Sequence, residues 1–317
     1  ERAGGVEAPA TPTVRPSPSP QPTSTPVEPP TPSPTVPATS TTEPTPTLPA
    51  LGRVVRSTHV GVRQGDDFIP GAIREMVDAA VVELTGRQHA SDAWATLFSP
   101  GERVAIKVNT IRSSSYWTHV PLVMSIVGAL NEIGIAGEQI VVFDRQTREL
   151  EDAGFPVNRD GPGLRCYGTD GAYTRSWTLL DHEIGISDVL LGCDALINIP
   201  LLKAHGTSGM SFALKNHYGT FDQPARFHRG IDQALGALNA LPPIAERTRL
   251  TVGDALDICT RGWYQAVAGH SILMSLDPVA HDAVGAQMLA EAAEAEGGTS
   301  TVRQRTASWL TYAAQLG

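Results

Sequence analysis

Cysteine is scarce in this chain, and its spacing has no metal signature. The three cysteines, Cys166, Cys193 and Cys259, lie far apart in the sequence and include no Cys-x-x-Cys pair. Such a set excludes a disulfide-dense scaffold and a sequence-evident metal knuckle, because both need closely spaced thiols. At most one disulfide can form, and one thiol would be left over.

Long apolar runs and concentrated positive charge are also lacking. No window of about 18 apolar residues occurs, so the sequence predicts no transmembrane segment. The formal net charge is -9 at pH 7. A non-specific nucleic-acid partner is not expected, because it would need a concentrated Lys/Arg face.

Several familiar catalytic motifs are absent as well. The sequence contains no P-loop, no Gly-x-Ser-x-Gly elbow and no His-Glu-x-x-His pair. Gly161-Pro162-Gly163 is not a dinucleotide fingerprint, since neither a strand before it nor a helix after it is predicted. The chemistry of this protein must therefore be sought in other residues.

Residues 1–50 are dominated by proline, threonine and serine. They hold 15 of the 25 prolines and 16 Thr or Ser residues, with no aromatic residue. Such a segment cannot bury a core and favours extended polyproline II, so we expect a stalk here and one globular domain over residues 51–317. Ser/Thr tracts with interspersed Pro are typical of O-glycosylated stalks. The candidate acceptors are Thr11, Thr13, Thr23, Thr25, Thr31, Thr35, Thr45 and Thr47.

The location of the protein is also interpreted from this segment. Residues 1–10 contain no apolar region of a signal peptide, and we interpret the chain as a mature form whose targeting segment has been removed. We therefore expect an extracellular or cell-surface protein. The alternative for the stalk is an unmodified flexible linker to a membrane or lipid anchor.

The globular part alternates helical and strand patterns. Residues 73–84 have helical periodicity that ends near Gly86, residues 104–109 form a β-branched apolar run, residues 119–134 indicate a second helix, and residues 140–144 a second strand. Short strands at 190–199 and 250–254 and an Ala-rich helix at 280–294 follow, while 161–178 indicates a hairpin or an irregular insertion. This alternation predicts an α/β fold with a mostly parallel sheet and flanking helices in Rossmann-like layers.

Four motifs together resemble one family. They are Gly101–Asn109, Phe143-Asp144-Arg145 with residues 154–168, Asn198–His205 running on to Ala213–Asn216, and Ser275–Ala283. Over residues of about 53–310 the chain resembles the uncharacterised family called domain of unknown function 362. The resemblance implies an exported protein of unestablished activity, and many members carry a ferredoxin-like cysteine cluster. This sequence has no such motif, so the cofactor stays unknown, although a single divalent metal ion can be considered.

The densest polar cluster follows the predicted strand at 190–199. It contains Lys203, His205, Lys215, Asn216, His217 and His228. Because ligands of open α/β sheets lie at the carboxyl ends of strands, we expect an anion pocket built from Asn109, Lys203, His205, Lys215, Asn216 and Asp254. The Gly206–Gly209 loop could offer backbone N–H groups to a phosphate or carboxylate.

Each of these residues also has an ordinary structural interpretation. Lys203 and Lys215 could form ion pairs with Asp194 or Asp222, and His205 could be a hydrogen-bonded, half-buried histidine. Asp277 before Pro278 is typical of a helix N-cap, and Asp282 suits the first turn of that helix. His205, His228 and Asp254 could form a two-His-one-carboxylate metal site.

Two functions remain open from the sequence. The first is an exported subunit that assembles with copies of itself into a filament or surface layer, because an ordered stalk without a core would have to lie on neighbouring copies. The second is an exported metal-dependent or anion-dependent enzyme or ligand-binding protein that uses the predicted pocket.

Overall fold

A computed structural model describes residues 52–111, 114–262 and 264–316. The predicted stalk at residues 1–50 and its glycosylation candidates lie outside these residues.

The described residues form thirteen strands and ten α-helices. The strands are β1 (Val54–Thr58), β2 (Arg63–Gln64), β3 (Asp67–Phe68), β4 (Val104–Lys107), β5 (Ile140–Phe143), β6 (Arg165–Cys166), β7 (Arg175–Leu179), β8 (His182–Ile186), β9 (Ala195–Asn198), β10 (Leu201–His205), β11 (Gly209–Ser211), β12 (Thr248–Cys259) and β13 (Val267–Ser275). The helices are α1 (Pro70–Thr85), α2 (Ala90–Leu97), α3 (Val120–Glu132), α4 (Thr147–Asp152), α5 (Asp188–Leu191), α6 (Ala213–Asn216), α7 (Ile231–Asn239), α8 (Pro242–Ala245), α9 (Pro278–Ala295) and α10 (Val302–Leu316). Short 3-10 helices cover Gly137–Gln139, His217–Gly219 and Pro224–His228.

One large sheet organises the domain. Seven strands lie side by side in the order β1-β13-β12-β9-β4-β5-β6, and β10 and β11 extend the sheet beside β12. Strands β12, β9, β4, β5 and β6 run parallel, whereas β13 and β1 form an antiparallel edge. The prediction of an α/β fold with a mostly parallel sheet and flanking helices is confirmed.

Buried side chains cover both faces of this sheet. Neighbouring residues of β4 point to opposite faces, so that Ile106 packs with the helices α1, α2 and α3, while Ala105 packs with α7, α9 and α10. The continuous apolar runs of β4 and β5 are explained by this double coverage, because a parallel strand buried on both faces needs no polar alternation.

Two predicted elements differ from the structure. The apolar run predicted as a strand at 190–199 begins as the short helix α5 and becomes β9 only at Ala195. The strand predicted at 250–254 is the first half of β12, which has 12 residues. The first half of β12 pairs with β9 and its second half pairs with β10. The two strands on either side of Pro200 therefore both pair with β12, one after the other.

This arrangement brings three strand ends together. Lys107 at the end of β4 lies in register with Phe143 of β5 and with Asn198 of β9. Strand β10 then carries the chain past these ends, and Lys203 lies opposite Cys259 of β12.

Candidate functional site

A cavity of about 280 Å³ opens where β4 and β5 end and β10 passes by. Five of the six residues predicted for the pocket line it, and so does the metal candidate His228. The five are Asn109, Lys203, His205, Lys215 and Asn216. The carboxyl ends of parallel strands are the usual ligand sites of open α/β sheets.

The floor of the cavity is an ion pair between two strand ends. The Nζ of Lys107 lies 2.7 Å from Oδ1 of Asp144 and donates a hydrogen bond of 2.6 Å to the carbonyl of Val108. The other carboxylate oxygen of Asp144 accepts from the backbone N–H and the hydroxyl of Thr110. Both charged groups are therefore paired although they are buried, as buried charges must be.

Two asparagines connect this floor to the wall of the cavity. The side-chain nitrogen of Asn216 donates to Asn198 Oδ1 at 2.7 Å and to the carbonyl of Lys107 at 3.3 Å. Its Oδ1 accepts from Asn109 Nδ2 at 3.2 Å, and Asn109 Oδ1 in turn accepts from Lys203 Nζ at 2.6 Å. The amide orientations are fixed by this chain of donors, because each nitrogen meets an oxygen.

All of the lysines in the chain lie at this one cavity. The sequence has only three lysines, Lys107, Lys203 and Lys215, and all of its other strongly basic residues are arginines. The three are 0%, 2% and 8% exposed, and all three line the cavity. Long, hydrated ammonium side chains are almost never buried in this way without a paired charge.

Two of these lysines have no carboxylate partner. Within residues 52–111, 114–262 and 264–316, neither Lys203 nor Lys215 forms an ion pair. The structural alternative does not apply, since Asp194 accepts from the backbone N–H of Arg103 and Asp222 accepts from that of Gly185. The Nζ of Lys215 instead lies 4.1 Å from the centre of the Tyr218 ring, a cation–π contact.

Burial changes the protonation of both amines. It lowers the pKa of Lys203 to about 8. Burial and the neighbouring charge of Lys203 lower the pKa of Lys215 to about 7. Loss of hydration and like charge both disfavour the ammonium form. The protonated amines are therefore destabilised in the cavity, and a bound anion would stabilise them.

His205 is a neutral hydrogen-bond donor toward the cavity. Its Nδ1 accepts from the backbone N–H groups of Thr207 and Ser208 at 3.2 and 3.3 Å. Since Nδ1 accepts, the ring proton of the neutral form lies on Nε2. Burial and the charge of Lys215 lower the pKa of His205 to about 3. The expectation that the Gly206–Gly209 loop offers its N–H groups to an anion is wrong for Thr207 and Ser208, whose N–H groups bind His205.

His228 has the opposite tautomer. Its Nδ1 lies 3.0 Å from the carbonyl of Pro224, which can only accept, so Nδ1 carries the proton and Nε2 keeps its lone pair. The ring lies 5.7 Å from that of His205 and 5.4 Å from that of Tyr218, centre to centre. Burial and the charge of Lys215 lower the pKa of His228. The cavity therefore contains one imidazole donor and one imidazole acceptor.

Asp254 is the one predicted pocket residue that the structure does not bring to the cavity. It lies in the middle of β12 and is fully buried, where its carboxylate accepts from the backbone N–H of His119 at 2.7 Å and lies 2.8 Å from His119 Nδ1. The metal set of His205, His228 and Asp254 is consequently not assembled. No group of three or more His, Cys, Asp or Glu side chains with metal-site geometry occurs among the described residues.

The acids of the α9 region have structural roles. Asp277 is the N-cap of α9 as predicted, because its Oδ1 accepts from the N–H groups of Val279 and Ala280. Asp282 reaches across to the start of α6, where its two oxygens accept from the N–H groups of Ala213 and Leu214. It therefore fixes the helix that carries Lys215 and Asn216.

The three cysteines are buried and free. Burial raises the pKa of Cys193 to about 11 and of Cys166 and Cys259 to about 12. A thiol that stays protonated is a poor nucleophile and a poor metal ligand.

Three lining residues, Lys107, Asp144 and Tyr218, are not predicted from the sequence patterns. The composition contains a signal that could have identified Lys107. The chain has only three lysines and many arginines, so each lysine is a candidate for a role that arginine cannot fill. Lys and Arg differ in that an amine can change protonation near neutral pH, whereas a guanidinium cannot.

The family model described as Domain of unknown function (DUF362) matches residues 104–287. The chain belongs to this family. The matched part of the DUF362 domain includes every residue that lines the cavity. No curated protein matches the sequence.

Two solved structures resemble the DUF362 protein at a distance. One is a crystal structure of a Thermotoga maritima protein, with 12% identity, a TM-score of 0.44, and coverage of 75% of this chain and 61% of the other. The second is the lactate racemase apoprotein of Thermoanaerobacterium thermosaccharolyticum, with 10% identity, a TM-score of 0.37, and coverage of 61% and 50%. The chain spans less than two thirds of the length of either protein.

None of the helices in the described ranges has the length and apolar character to cross a membrane.

Proposed function

We propose that this DUF362 domain binds a small organic anion, a carboxylate or a phosphate ester, in the lysine-lined cavity. The observation that supports the proposal is the confinement of all three lysines to one buried cavity, where Lys203 and Lys215 have no carboxylate partner in the part of the chain that the structure describes. An anion bound there supplies the missing negative charge, and charge-assisted hydrogen bonds to buried amines are stronger than neutral ones.

The size of the cavity favours a small metabolite. Its volume of about 280 Å³ lies below the roughly 300–1,000 Å³ of pockets that take drug-sized ligands. The imidazole N–H of His205 and the amide of Asn109 can orient the oxygens of such a ligand, because both face the same cavity as the amines.

Calorimetric titration of the full chain with lactate and with inorganic phosphate tests the proposal. We expect binding of at least one of them, and a loss of about tenfold or more in affinity in Lys203→Met, because a buried charge-assisted hydrogen bond is removed. Arg148→Met is the matched control: Arg148 is a cation whose side chain is 66% exposed, and its removal should leave affinity unchanged. Equal weakening in both variants, or no binding of either anion, would contradict the proposal.

We also propose that the chain is exported and assembles with copies of itself through residues 1–50, which would carry O-linked glycans. The composition of this segment supports the proposal, since its Pro, Thr and Ser residues suit an extended glycosylated stalk. Mass spectrometry of the protein from its native source and electron microscopy of the same material test it. Unmodified Thr and Ser side chains together with isolated particles would contradict it.

A further inference from the structure

The three amines at the cavity are not equivalent. Lys107 is fixed by Asp144 at 2.7 Å and by a carbonyl at 2.6 Å. Lys203 donates to Asn109 Oδ1 at 2.6 Å. Lys215 alone has neither a hydrogen bond nor an ion pair among the described residues, and its Nζ rests on the face of the Tyr218 ring. An amine without these partners keeps its lone pair free to react.

The backbone under Lys215 is held in place. It lies on α6, whose first two N–H groups bind the carboxylate of Asp282 at 2.7 and 2.9 Å. The next residue, Asn216, is tied to Asn198 and to the end of β4. A fixed backbone and a short list of contacts aim the amine into the cavity, which is the positioning that a covalent catalyst needs.

The protonation of Lys215 suits a nucleophile at neutral pH. Burial and the charge of Lys203 lower its pKa to about 7, so about half of the amine is neutral there. Desolvation and an adjacent cation are the two means by which proteins activate a lysine for attack on a carbonyl. The carboxylate of Asp144, which also lines the cavity, already binds Lys107 and Thr110.

A candidate proton carrier, His228, contacts the same Tyr218 ring as this amine. The Nε2 of His228 has a free lone pair, because Nδ1 donates to the carbonyl of Pro224. Tyr218 contacts both groups, with Lys215 over its face and the His228 ring perpendicular to it at 5.4 Å between centres. A neutral imidazole in this position can accept a proton and return it.

We propose that Lys215 is a nucleophile that forms an imine with a small carbonyl acid, such as a 2-oxo acid, whose carboxylate is bound by Lys203. This inference rests on the proposed function, since the cavity must first bind the anion. It assigns a substrate class, a carbonyl next to a carboxylate, and a covalent step to the same cavity.

The step balances without an oxidant or a reductant. The lone pair of neutral Lys215 attacks the carbonyl carbon, a C–N bond forms, and the π pair of the carbonyl moves onto its oxygen. His228 Nε2 takes a proton from the nitrogen and delivers it to that oxygen, which gives a carbinolamine. The nitrogen lone pair then expels the hydroxyl group, His228 transfers the second amine proton to it, and the products are an imine and one water molecule.

Reductive trapping with pyruvate tests the assignment. The full chain is incubated with pyruvate and cyanoborohydride near pH 7, and the modified residue is located by peptide mass spectrometry. We expect one adduct, on Lys215, and none on Lys107 or Lys203. The sequence has three lysines, so peptide masses distinguish which of them carries the adduct. An adduct on the N-terminus or on another lysine in place of Lys215 would overturn the proposal.

Two variants provide matched controls. Lys215→Arg keeps a cation in the cavity and removes the nucleophile, so it should lose the adduct. Arg148→Lys adds an ordinary exposed amine, which we expect to react at least about tenfold more slowly than Lys215, because an exposed lysine is almost fully protonated near pH 7. Equal rates would overturn the proposal.

The outcomes separate this inference from the proposed function. If lactate or phosphate binds and neither pyruvate nor glyoxylate gives an adduct on Lys215, the covalent step is wrong and anion binding stands. If neither anion binds and no adduct forms, both are wrong. Trapping with glyoxylate, a smaller carbonyl acid, repeats the test with less steric demand, and failure of both carbonyl acids in a protein that binds lactate rejects the imine.

Discussion

Gly219 lies directly against the Lys107–Asp144 ion pair. A Cβ at position 219 would be 2.5 Å from Asp144 Oδ1 and 2.8 Å from Lys107 Nζ. The backbone angle at this residue does not require glycine, so the constraint is steric. A side chain at position 219 would overlap the space that the ion pair occupies.

Gly219→Ala should therefore disturb the floor of the cavity. We expect a loss of about 1–3 kcal/mol in the free energy of unfolding, because the added methyl group forces a buried, paired charge to move. Chemical denaturation measures it, and lactate affinity should fall in the same variant. Gly71→Ala is the control, since a Cβ there meets nothing within 4 Å and lies in the first turn of α1. A variant at 219 as stable as the control would contradict the argument.

Removing one partner of the buried Lys107–Asp144 ion pair should lower the free energy of unfolding more than breaking an exposed ion pair. Lys107→Met leaves the carboxylate of Asp144, which is 4% exposed, without its cation. Breaking a buried pair in this way costs about 3–5 kcal/mol. Arg303→Met removes a pair with Glu294 in which both side chains are 42% exposed, and exposed pairs contribute much less to stability than buried ones. Urea unfolding of both variants checks the contrast, and equal losses would show that Asp144 is neutralised in another way.

A second ionic network should make stability depend on pH. His119 lies between Asp254 and Asp257 at 2.8 and 3.3 Å, and Asp257 also pairs with Arg63. Although burial lowers it, the two carboxylates raise the pKa of His119 to about 9 from an ordinary value of 6.5. The contribution of His119 is therefore complete below about pH 6.5 and is lost as the pH rises through 9. Although burial raises it, hydrogen bonds and charges from His119 and Arg63 lower the pKa of Asp257 from 3.8, so its contribution is lost as the pH falls below that value.

The difference in unfolding free energy between the wild-type protein and His119→Gln isolates this network. We expect it to be greatest, about 3 kcal/mol, between pH values of about 4 and 6.5, and to shrink as the pH rises through about 9. Subtracting the variant removes the opposite trend of the cavity lysines, whose lowered pKa values destabilise the fold at low pH. A difference that stays constant over this range would mean that His119 stabilises the fold as a neutral ring.

Anion affinity should fall as the pH rises. Lys215 and Lys203 are protonated below their pKa values of about 7 and about 8, and only the protonated amines attract an anion. Among the described residues that line the cavity, the other charged or titratable groups are the pairs Lys107–Asp144 and Arg145–Glu149, the imidazoles of His205 and His228, and the Tyr218 hydroxyl. We expect lactate affinity to fall by about tenfold or more between pH values of about 6 and 9. Lys215→Arg, whose guanidinium stays charged, should flatten this dependence, and an unchanged slope in that variant would contradict the role of Lys215.

The sequence predicted the part of the fold that depends on local periodicity. The strands β4 and β5 and the helices α1, α3 and α9 agree with their apolar patterns because each is buried along a regular stripe or on both faces. The antiparallel edge formed by β13 and β1 was not predicted, since it pairs residues from opposite ends of the domain, such as Val54 with Ser275. Periodicity within one segment contains no information about such a partner.

The candidate site was predicted in part for the same reason. Strand ends and a cluster of Lys, His and Asn residues identified five of the lining residues, because those residues are close in sequence or follow a strand. Asp254 was misplaced because β12 continues for five residues beyond it, to Cys259, and its carboxylate belongs to His119. The export and assembly expectations and the glycan acceptors stay predictions, since they depend on residues outside the described ranges.

The hydrogen bonds of the cavity also bear on the order in which the chain folds. The contact between Asn109 and Lys203 joins residues 94 positions apart, and that between Lys107 and Asn216 joins residues 109 apart. Closing loops of this length reduces conformational entropy before the new contact can stabilise the chain, so such contacts form late. During synthesis the first lysine emerges nearly a hundred residues before the second. The amines can therefore approach one another only after the intervening strands β5, β6 and β9 are available to hold them.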